Sequence, residues 1–367
     1  MRSPFIVSGW LIAPPGEGPA RVDVELDGEV RASAQAGLRR SDVEEAWPEE
    51  SNARWSGFAT EVFADDLDGR TVTVEVSTPA RAGRRSLARW LAAVEGLDGV
   101  VPPRARAWRL GDVLACPQCA GTLDEADNSW RCRSCGARYP TRRGVPVLAP
   151  EGAVVESRLL ETHPTNPNGP DQTAIIADPA HALVLDLGAG NPHPREHYPN
   201  VVFHEWVHYA FTDVVSLHAR LPYRDDVFDA VISKATFEHL ARPWETADEV
   251  YRVLKPGGLV HVDTAFMQPL HGDPQHFFNM TLDGVREIFR RFAPRRCGVK
   301  PYQTPAYALR MQIGALLEHV RSDAWRGRLR ALDELLGEDF DREIDDRGRE
   351  RLAAGVFFEG IKPRDGG

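Results

Sequence analysis

Four of the five cysteines in this 367-residue chain fall in two closely spaced pairs, an arrangement typical of a metal site. Cys116 and Cys119 form one CxxC turn, and Cys132 and Cys135 form a second after twelve intervening residues. Each turn can direct two thiolates at one ion, and a hairpin between the turns brings the pairs together. Four thiolates fill a tetrahedral shell, so the sequence predicts a structural zinc ion in a zinc ribbon over residues 111–150. A redox-active cysteine pair is the alternative.

A second pattern, ALVLDLGAGNP, combines a buried strand, an acid at its end and a glycine-rich turn. Such a turn receives a nucleotide at the edge of a Rossmann-type sheet, because glycine lets the backbone approach a ligand without a Cβ clash. Glu205 follows Asp186 by nineteen residues and comes after the apolar run NVVF. A carboxylate there, at the end of the second strand, can accept both hydroxyls of a ribose. The alternative for Glu205 is a solvated surface acid.

Residues His204 to His208 also spell HExxH, which in metalloproteases places two zinc ligands and a general base on one helix face. That chemistry requires a helix, whereas VVFHEWVHYAFTDVV is rich in β-branched and aromatic residues and follows a strand-like run. No third ligand is spaced after it in the sequence. We therefore reject the peptidase interpretation and treat His204 and His208 as cofactor-pocket or surface residues.

An α/β domain must position the glycine-rich turn. The segments FDAVIS, EHLARPWETADEVYRVLKPGG and LVHVDTAF follow it and predict a strand, a loop, a helix, a turn and a strand. TLDGVREIFRRF predicts an amphipathic helix, and AAGVFFEGIKP predicts a last strand. The apolar side of that helix is expected to carry Val285, Ile288, Phe289 and Phe292.

Over roughly residues 155–365 the chain resembles the class I methyltransferases of the type 11 group, with the segments quoted above as their landmarks. The resemblance implies a Rossmann-like sheet that binds S-adenosylmethionine. Asp186, Gly188 and Gly190 are then expected to cradle the methionine end of this cofactor. Glu205 is expected to hold its ribose.

Two positions depart from the family pattern. Pro192 replaces the third glycine, and proline stiffens the turn because its ring fixes φ. Leu217, in SLHARLPY, stands where the relatives carry an aspartate that holds the adenine amine. Adenine recognition must then come from backbone groups, or cofactor binding is weakened.

Methyl transfer needs alignment of donor and acceptor, and a base if the acceptor must lose a proton. Glu238 and His239, in FEHL, lie in the loop that faces the transferred methyl in the resembling family. Both are candidates for the base by position; His239 is assigned as the acid–base residue and Glu238 as a cofactor ligand. The alternative is that both merely cap the helix or hydrogen-bond the cofactor. His271 and His276, in PLHGDPQHFFNMT, are expected to act as acid–base or lid residues, with a purely structural loop as the alternative.

Three segments precede this domain. Short β-type runs predict a small antiparallel β-sandwich over residues 1–80, similar to the immunoglobulin-like modules beside bacterial glycosyltransferase and methyltransferase domains. A docking role or glycan-related binding through this domain is expected.

Residues 81–110 are predicted as a basic helical connector. The segment 111–150 is similar to zinc-ribbon proteins that partner methyltransferases, which implies a scaffold or activator role. Helical spacing in the connector is shown by Leu87, Trp90, Leu91 and Val94.

The composition limits the partners. A net charge of −10 argues against wholesale nucleic-acid binding, although residues 81–143 carry twelve Arg against six acids. No apolar run suits a membrane span, and the chain start predicts a strand rather than a signal peptide, so we expect a cytoplasmic protein. The expected acceptor is an oxygen of a saccharide or related small metabolite. The alternatives are an RNA methyltransferase and an inactive methyltransferase-fold binding module in glycan assembly.

Overall fold

The structure is a computed structural model that describes most of the chain. The described residues are 5–11, 21–35, 57–62, 72–78, 81–86, 95–101, 108–126, 128–142, 144–149, 169–190, 198, 200–207, 212–272 and 275–364. The chain divides into two compact units. The first unit takes in 1–112, 121–168 and 189–216, and the second takes in 113–120, 169–188 and 217–367.

The N-terminal part of the first unit contains seven described strands in two antiparallel sheets. These strands are β1 (Phe5–Leu11), β2 (Arg21–Leu26), β3 (Glu29–Gln35), β4 (Gly57–Val62), β5 (Val72–Thr78), β6 (Arg81–Ser86) and β7 (Glu95–Val101). One sheet has the order β4-β1-β7 and the other the order β3-β2-β5-β6. Strands β1, β2, β4 and β5 form in the β-type runs of the sequence, whereas the immunoglobulin-like identity stays a prediction.

Strand β2 shows both the expected alternation of buried side chains and a break in it. Val22 and Val24 are fully buried, as the sequence pattern predicts. Glu25 is buried as well, against that pattern. The pairing of β2 with β3 shifts register between Val24 and Glu25. A bulge of this kind re-aims the side chain that follows it, and this accounts for the buried acid.

The predicted helical connector contains strands in the structure. β6 pairs with β5 and β7 pairs with β1, both antiparallel, so a helix over 81–110 is wrong for the residues of these two strands. The helical spacing of the connector falls between these two strands and not within them. Residues 87–94, which carry that spacing, lie outside the described residues. Helix α1 (Leu110–Val113) is a single turn at the end of the predicted connector.

Residues 121–149 hold a small antiparallel sheet. Its strands are β8 (Leu123–Ala126), β9 (Ser129–Cys132), β10 (Arg138–Arg142) and β11 (Val145–Pro146), in the order β11-β10-β9-β8. Trp130 and Tyr139 lie opposite each other on β9 and β10 and are both buried. The β8–β9 hairpin falls between the two cysteine pairs, where the sequence requires one.

The first unit also contains a parallel pair of short strands, β13 (Val201–Glu205) and β14 (Val214–Val215). All five residues of β13 are buried. Val147 bridges Val215 in parallel, and the Leu148 N–H donates to the Val215 carbonyl at 2.8 Å. The chain that follows β11 therefore continues this pair at its edge.

The second unit contains a Rossmann-like mixed sheet. Its strands are β12 (Val184–Leu187), β15 (Phe228–Lys234), β16 (Leu254–Ala265), β17 (Ala293–Gly298) and β18 (Gly355–Ile361), in the order β12-β15-β16-β18-β17. β12, β15 and β16 are parallel, and β18 is antiparallel to both of its neighbours. The strands predicted from ALVLD, FDAVIS, LVHVDTAF and GVFFEGI are confirmed. The turn predicted at LKPGG is wrong, because β16 begins at Leu254 and includes that segment. β17 was not predicted, because APRRCG lacks the apolar alternation of a strand.

The helices of the second unit precede, separate and follow these strands. They are α2 (Pro170–Ala177), α3 (Pro243–Val253), α4 (Leu282–Ile288), α5 (Pro305–His319), α6 (Asp323–Glu334), α7 (Glu338–Arg342) and α8 (Asp346–Leu352). Val285 in helix α4 and Phe289 directly after it are buried as predicted, and the Phe289 ring stacks on Phe358 at 5.3 Å. Among the described residues, no helix has both the length and the apolar character needed to cross a bilayer.

A short segment after α1 adds an edge to the second unit. Leu114 bridges Tyr223 in antiparallel fashion. The Ala115 N–H donates to the Pro222 carbonyl at 2.9 Å, and the Arg224 N–H donates to the Val113 carbonyl at 3.0 Å. Residues 113–115 therefore pair with residues 222–224, although the sequence assigned them to the zinc ribbon.

Candidate active site

The glycine turn after β12 requires glycine at its first position. Gly188 has φ of 71°, a left-handed conformation that side chains disfavour. A Cβ on Gly188 would lie 2.0 Å from Thr236 Oγ1 and 2.6 Å from Thr236 Cγ2. Thr236 itself is buried and bonds the Lys234 carbonyl at 3.0 Å. The turn thus lies directly against the loop that follows β15, and Thr236 is a contact that the sequence did not indicate.

A hydrogen bond connects Gly190 to Glu205, as a nucleotide site would require. The Gly190 N–H donates to Glu205 Oε1, and the Trp206 N–H donates to Glu205 Oε2 at 3.0 Å. Glu205 ends β13 and is buried, and Gly190 also has a left-handed φ of 63°. These two backbone bonds fix the orientation of the carboxylate. Glu205 is therefore oriented as a defined hydrogen-bond acceptor.

The sequence also directed attention to Asp186, Leu217 and Pro192 at the cofactor site. Asp186 is fully buried near the end of β12. Leu217 is half-buried after β14, and it has no carboxylate to offer an adenine. Pro192 lies outside the described residues, so the effect of a proline in the turn stays a prediction.

The HExxH helix does not form. His204 and Glu205 lie in strand β13, where successive side chains point to opposite faces. A histidine and its neighbouring glutamate in a strand cannot share the helix face that metalloprotease chemistry needs. His208 lies outside the described residues. The geometry thus agrees with rejecting the peptidase interpretation.

Glu238 is a buried acid at the carboxyl end of β15. It lies in a 3-10 helix, Phe237–His239, and its Oε2 accepts a hydrogen bond from Thr264 Oγ1 at 3.0 Å. Burial raises the pKa of Glu238, and the hydrogen bond from Thr264 offsets part of that rise. The Glu238 carbonyl accepts from the N–H groups of Phe277 and Phe278 at 2.8 and 3.2 Å. The histidine loop is therefore tied to this acid through the backbone.

The structure brings the three predicted histidines together. The ring centroids of His271 and His276 are 4.2 Å apart, and those of His239 lie 5.3 Å from His271 and 5.7 Å from His276. Gly272 permits this approach, because its φ is 106° and a Cβ there would lie 2.6 Å from His239 Cε1. Gly272 is a site residue that the sequence reasoning missed. The signal available in the sequence was the glycine directly after His271.

Hydrogen bonds assign the same proton position to the rings of His239 and His271. Nδ1 of His239 faces the Gln275 carbonyl at 2.8 Å, and Nδ1 of His271 faces the Pro269 carbonyl at 3.0 Å. A carbonyl only accepts, so both Nδ1 atoms donate. The neutral rings then carry their lone pair on Nε2. His239 and His271 thus remain suited to accept a proton or bind a cation.

His276 differs, since both of its ring nitrogens are engaged. Its Nδ1 accepts from the His271 N–H at 3.2 Å, and its Nε2 donates to the Phe278 carbonyl at 3.1 Å. Burial and the charge of His271 lower the pKa of His276, which agrees with a neutral ring. The geometry does not support His276 as an acid–base residue, because no lone pair is left to take a proton. His276 instead positions the loop.

The two cysteine pairs also meet. Donor atoms of Cys116, Cys119, Cys132 and Cys135 all lie within 4.8 Å of one another. Zn–S bonds of about 2.3 Å place the sulfurs of a tetrahedral site about 3.8 Å apart. Small rotations of the side chains are enough to reach that spacing.

The family model described as "Methyltransferase domain" matches residues 185–262. This span includes β12 with its glycine turn, β13, β15, α3 and most of β16. Over these residues the chain is similar to the methyltransferase domain family. The sequence prediction of a methyltransferase is confirmed at this level.

Relatives of the methyltransferase domain occur in mycobacteria. A Mycobacterium tuberculosis methyltransferase is 30% identical over 147 residues, covering 37% of this chain and 55% of the relative. One from Mycobacterium leprae is 29% identical over 173 residues, covering 41% and 58%. The chain thus spans just over half the length of these curated relatives. A solved Haemonchus contortus phosphoethanolamine N-methyltransferase 2 in complex with S-adenosyl-L-methionine is 17% identical, with a TM-score of 0.32, over 52% of this chain and 51% of that one.

His218 provides a pH test of the methyltransferase domain. This histidine is buried, and burial lowers its pKa from 6.5 to about 4. The unfolded chain then binds more protons than the folded chain between pH 6.5 and pH 4, so stability should fall as pH is lowered through that window. The full effect is about 3 kcal/mol. Urea unfolding at pH 7 and pH 4.5 measures the test. Between these two pH values His218→Gln should lose less free energy of unfolding than the parent chain.

The exposed His319 gives the control for this pH test. His319→Gln should retain the pH dependence of the parent chain. An unchanged dependence in His218→Gln would contradict the prediction.

Proposed function

We propose that this chain transfers a methyl group from S-adenosylmethionine to an oxygen of a saccharide or related small metabolite. The observation that carries the proposal is the left-handed Gly188–Gly190 turn, whose Gly190 N–H is bonded to the buried Glu205 carboxylate inside a matched methyltransferase domain. Gly188 packs on Thr236, so the turn is preformed. S-adenosylmethionine supplies an electrophilic methyl group on a sulfonium.

The residues of the turn fit the two polar ends of that cofactor. Glu205, oriented by two backbone N–H groups, would accept the ribose hydroxyls. Asp186 and the backbone of the Gly188 turn would hold the methionine end. Leu217 leaves the adenine to backbone groups and apolar contact, so we expect affinity in the micromolar range rather than tighter.

His239 is the proposed base toward the acceptor. Its Nδ1–H is held by the Gln275 carbonyl, which directs the Nε2 lone pair away from the loop backbone. The proton of an acceptor hydroxyl would pass to His239 Nε2 as the oxygen attacks. The contribution of a positioned base is typically 10²–10⁴-fold in rate. A hydroxyl acceptor fits this arrangement, because it must lose a proton when methylated.

Calorimetric titration with S-adenosylmethionine tests the cofactor site. Glu205→Gln keeps the shape and an acceptor oxygen but removes the charge, and hydrogen bonds to a charged group contribute about 1.5–3 kcal/mol. We expect the Kd to rise about tenfold to hundredfold, and Asp186→Ala to abolish binding. Asp248→Asn, which changes an exposed acid paired with Arg291, is the matched control and should bind as the parent chain does. No heat from the parent chain at millimolar ligand would favour the binding-module alternative.

We also propose a structural zinc ion held by the four paired cysteines, as a scaffold or activator of the methyltransferase domain. A tetrathiolate site needs reduced cysteines, which fits the expected cytoplasmic location. Metal analysis should find one zinc per chain at the cysteines, lost in Cys132→Ser together with a lowered melting temperature. Cys297→Ser, outside the pairs, should keep the zinc. Full zinc retention in Cys132→Ser would contradict the proposal.

A further inference from the structure

We propose that Glu238, His239 and His271 form a binding site for a divalent first-row transition-metal ion. One donor atom from each of these residues lies within 4.8 Å of the other two. Bonds of about 2.0–2.2 Å from an ion to nitrogen and oxygen ligands place neighbouring ligands about 3–3.5 Å apart. A side-chain movement on the order of 1 Å would bring the donor atoms from within 4.8 Å of one another to this spacing. The set of two imidazoles and one carboxylate suits iron(II), manganese, cobalt or zinc.

The proton positions of the two histidines support the site independently of the distances. Metal-bound histidines commonly donate their second ring N–H to a carbonyl or carboxylate, which fixes ring and tautomer. His239 and His271 make this bond through Nδ1, to the Gln275 and Pro269 carbonyls. Both therefore offer a lone pair on Nε2, as a metal ligand requires. His276 offers none, because both of its nitrogens are engaged with the backbone.

The loop that carries His271 is preorganised around His239. Gly272 brings the loop backbone against the His239 ring, since any Cβ there would overlap it. His276 accepts the His271 N–H, and the Phe277 and Phe278 N–H groups bond to the Glu238 carbonyl. Three ligands from two segments, 32 residues apart at His239 and His271, are thus held together by the protein alone. A preorganised site loses less entropy when it binds an ion.

Exposure indicates what kind of site this is. Glu238 is buried, while His239 and His271 are half-buried, so one side faces solvent. Three protein ligands leave coordination positions open, which is the arrangement of a catalytic rather than a structural metal site. An open position would bind an acceptor oxygen and lower its pKa, so that its proton passes to water. His239 would not be the base in that form, because its Nε2 lone pair binds the ion. That role rests on the proposed methyl transfer, whereas metal binding itself does not.

The test is a titration of the full chain with cobalt(II) after the cysteines have been loaded with zinc. We expect one further equivalent to bind, with weak d–d absorption and without the intense sulfur-to-cobalt charge-transfer band of a thiolate site. Glu238→Gln and His271→Ala should each weaken this binding at least tenfold. His319→Ala, which removes an exposed histidine of α5, is the matched control and should bind as the parent chain does.

Three outcomes would overturn the proposal: no second equivalent in the parent chain, equal binding in all variants, or a sulfur charge-transfer band. Thermal melting of each variant establishes that it folds. Calorimetry of His271→Ala with S-adenosylmethionine separates the two hypotheses, because loss of the metal site alone should leave cofactor binding measurable. A parent chain that binds cobalt but no S-adenosylmethionine would retain the metal site and reject the proposed function.

Discussion

Replacing Asp263 by leucine is expected to lower the free energy of unfolding by about 3–5 kcal/mol, because it leaves a buried lysine without its carboxylate. Asp263 lies on β16 and is buried, and its Oδ2 accepts from Lys300 Nζ at 2.9 Å, from Tyr302 Oη at 3.1 Å and from Gln172 Nε2. Lys300 is only 3% exposed. Its nearest other carboxylate contact is Asp171 at 3.5 Å, too long for a strong bond.

The surrounding groups favour the ionised form of the Asp263 and Glu359 carboxylates. Burial would raise the pKa of Asp263, but the hydrogen bond and charge of His261 together with Lys300 outweigh it and lower that pKa. Burial would likewise raise the pKa of Glu359, yet hydrogen bonds from His261 and Arg296 lower it to about 2. Asp263 on β16 therefore faces Lys300, and Glu359 on β18 faces Arg296.

A double-mutant cycle measured by urea unfolding isolates the Asp263–Lys300 pair. Asp263→Leu with Lys300→Met replaces both charges by apolar groups and should recover at least half of the loss, because no uncompensated charge stays buried. A loss below about 1 kcal/mol in Asp263→Leu alone would contradict the prediction.

Gly188→Ala is expected to abolish measurable S-adenosylmethionine binding and to lower the free energy of unfolding by about 2–5 kcal/mol. The left-handed φ costs about 1–2 kcal/mol for an L-residue, and forcing a methyl group into a filled space costs about 1–3 kcal/mol more. The new Cβ would overlap Thr236, which is held in place by its bond to the Lys234 carbonyl.

Gly190→Ala is the matched control for the steric part of this effect. Gly190 has a similar φ of 63°, but no described atom lies within 4 Å of its added Cβ. Its loss of stability should stay near the cost of the conformation alone, about 1–2 kcal/mol. Chemical unfolding of the two variants measures the loss of stability. Calorimetry measures their binding of S-adenosylmethionine. Equal losses at the two positions would show that the contact with Thr236 does not constrain the turn.

The local parts of the site could be predicted from sequence, and the reason is physical. Asp186, Gly188 and Gly190 belong to one strand and its turn, so their types and order fix their roles. Glu205 follows from its position nineteen residues after Asp186, directly behind the apolar run NVVF. The HExxH match could be rejected for the same reason, because β-branched and aromatic residues favour a strand.

Contacts between distant segments could not be predicted in this way. The Glu359 carboxylate meets His261 across 98 positions of sequence, through the antiparallel pairing of β16 with β18. The engagement of both His276 nitrogens depends on the exact course of one loop. Strands β6 and β7 were missed because their partners, β5 and β1, supply the hydrogen bonds that their own sequences do not signal.

The pairing of residues 113–115 with residues 222–224 has a practical consequence for dissecting this protein. A shortened version that started at residue 155, the predicted beginning of the methyltransferase domain, would lose this backbone pairing along with the segments before it. The Pro222 carbonyl and the Arg224 N–H would be left to water, and the fully buried Leu114 would leave a gap beside Tyr223. Expression trials should therefore begin no later than helix α1.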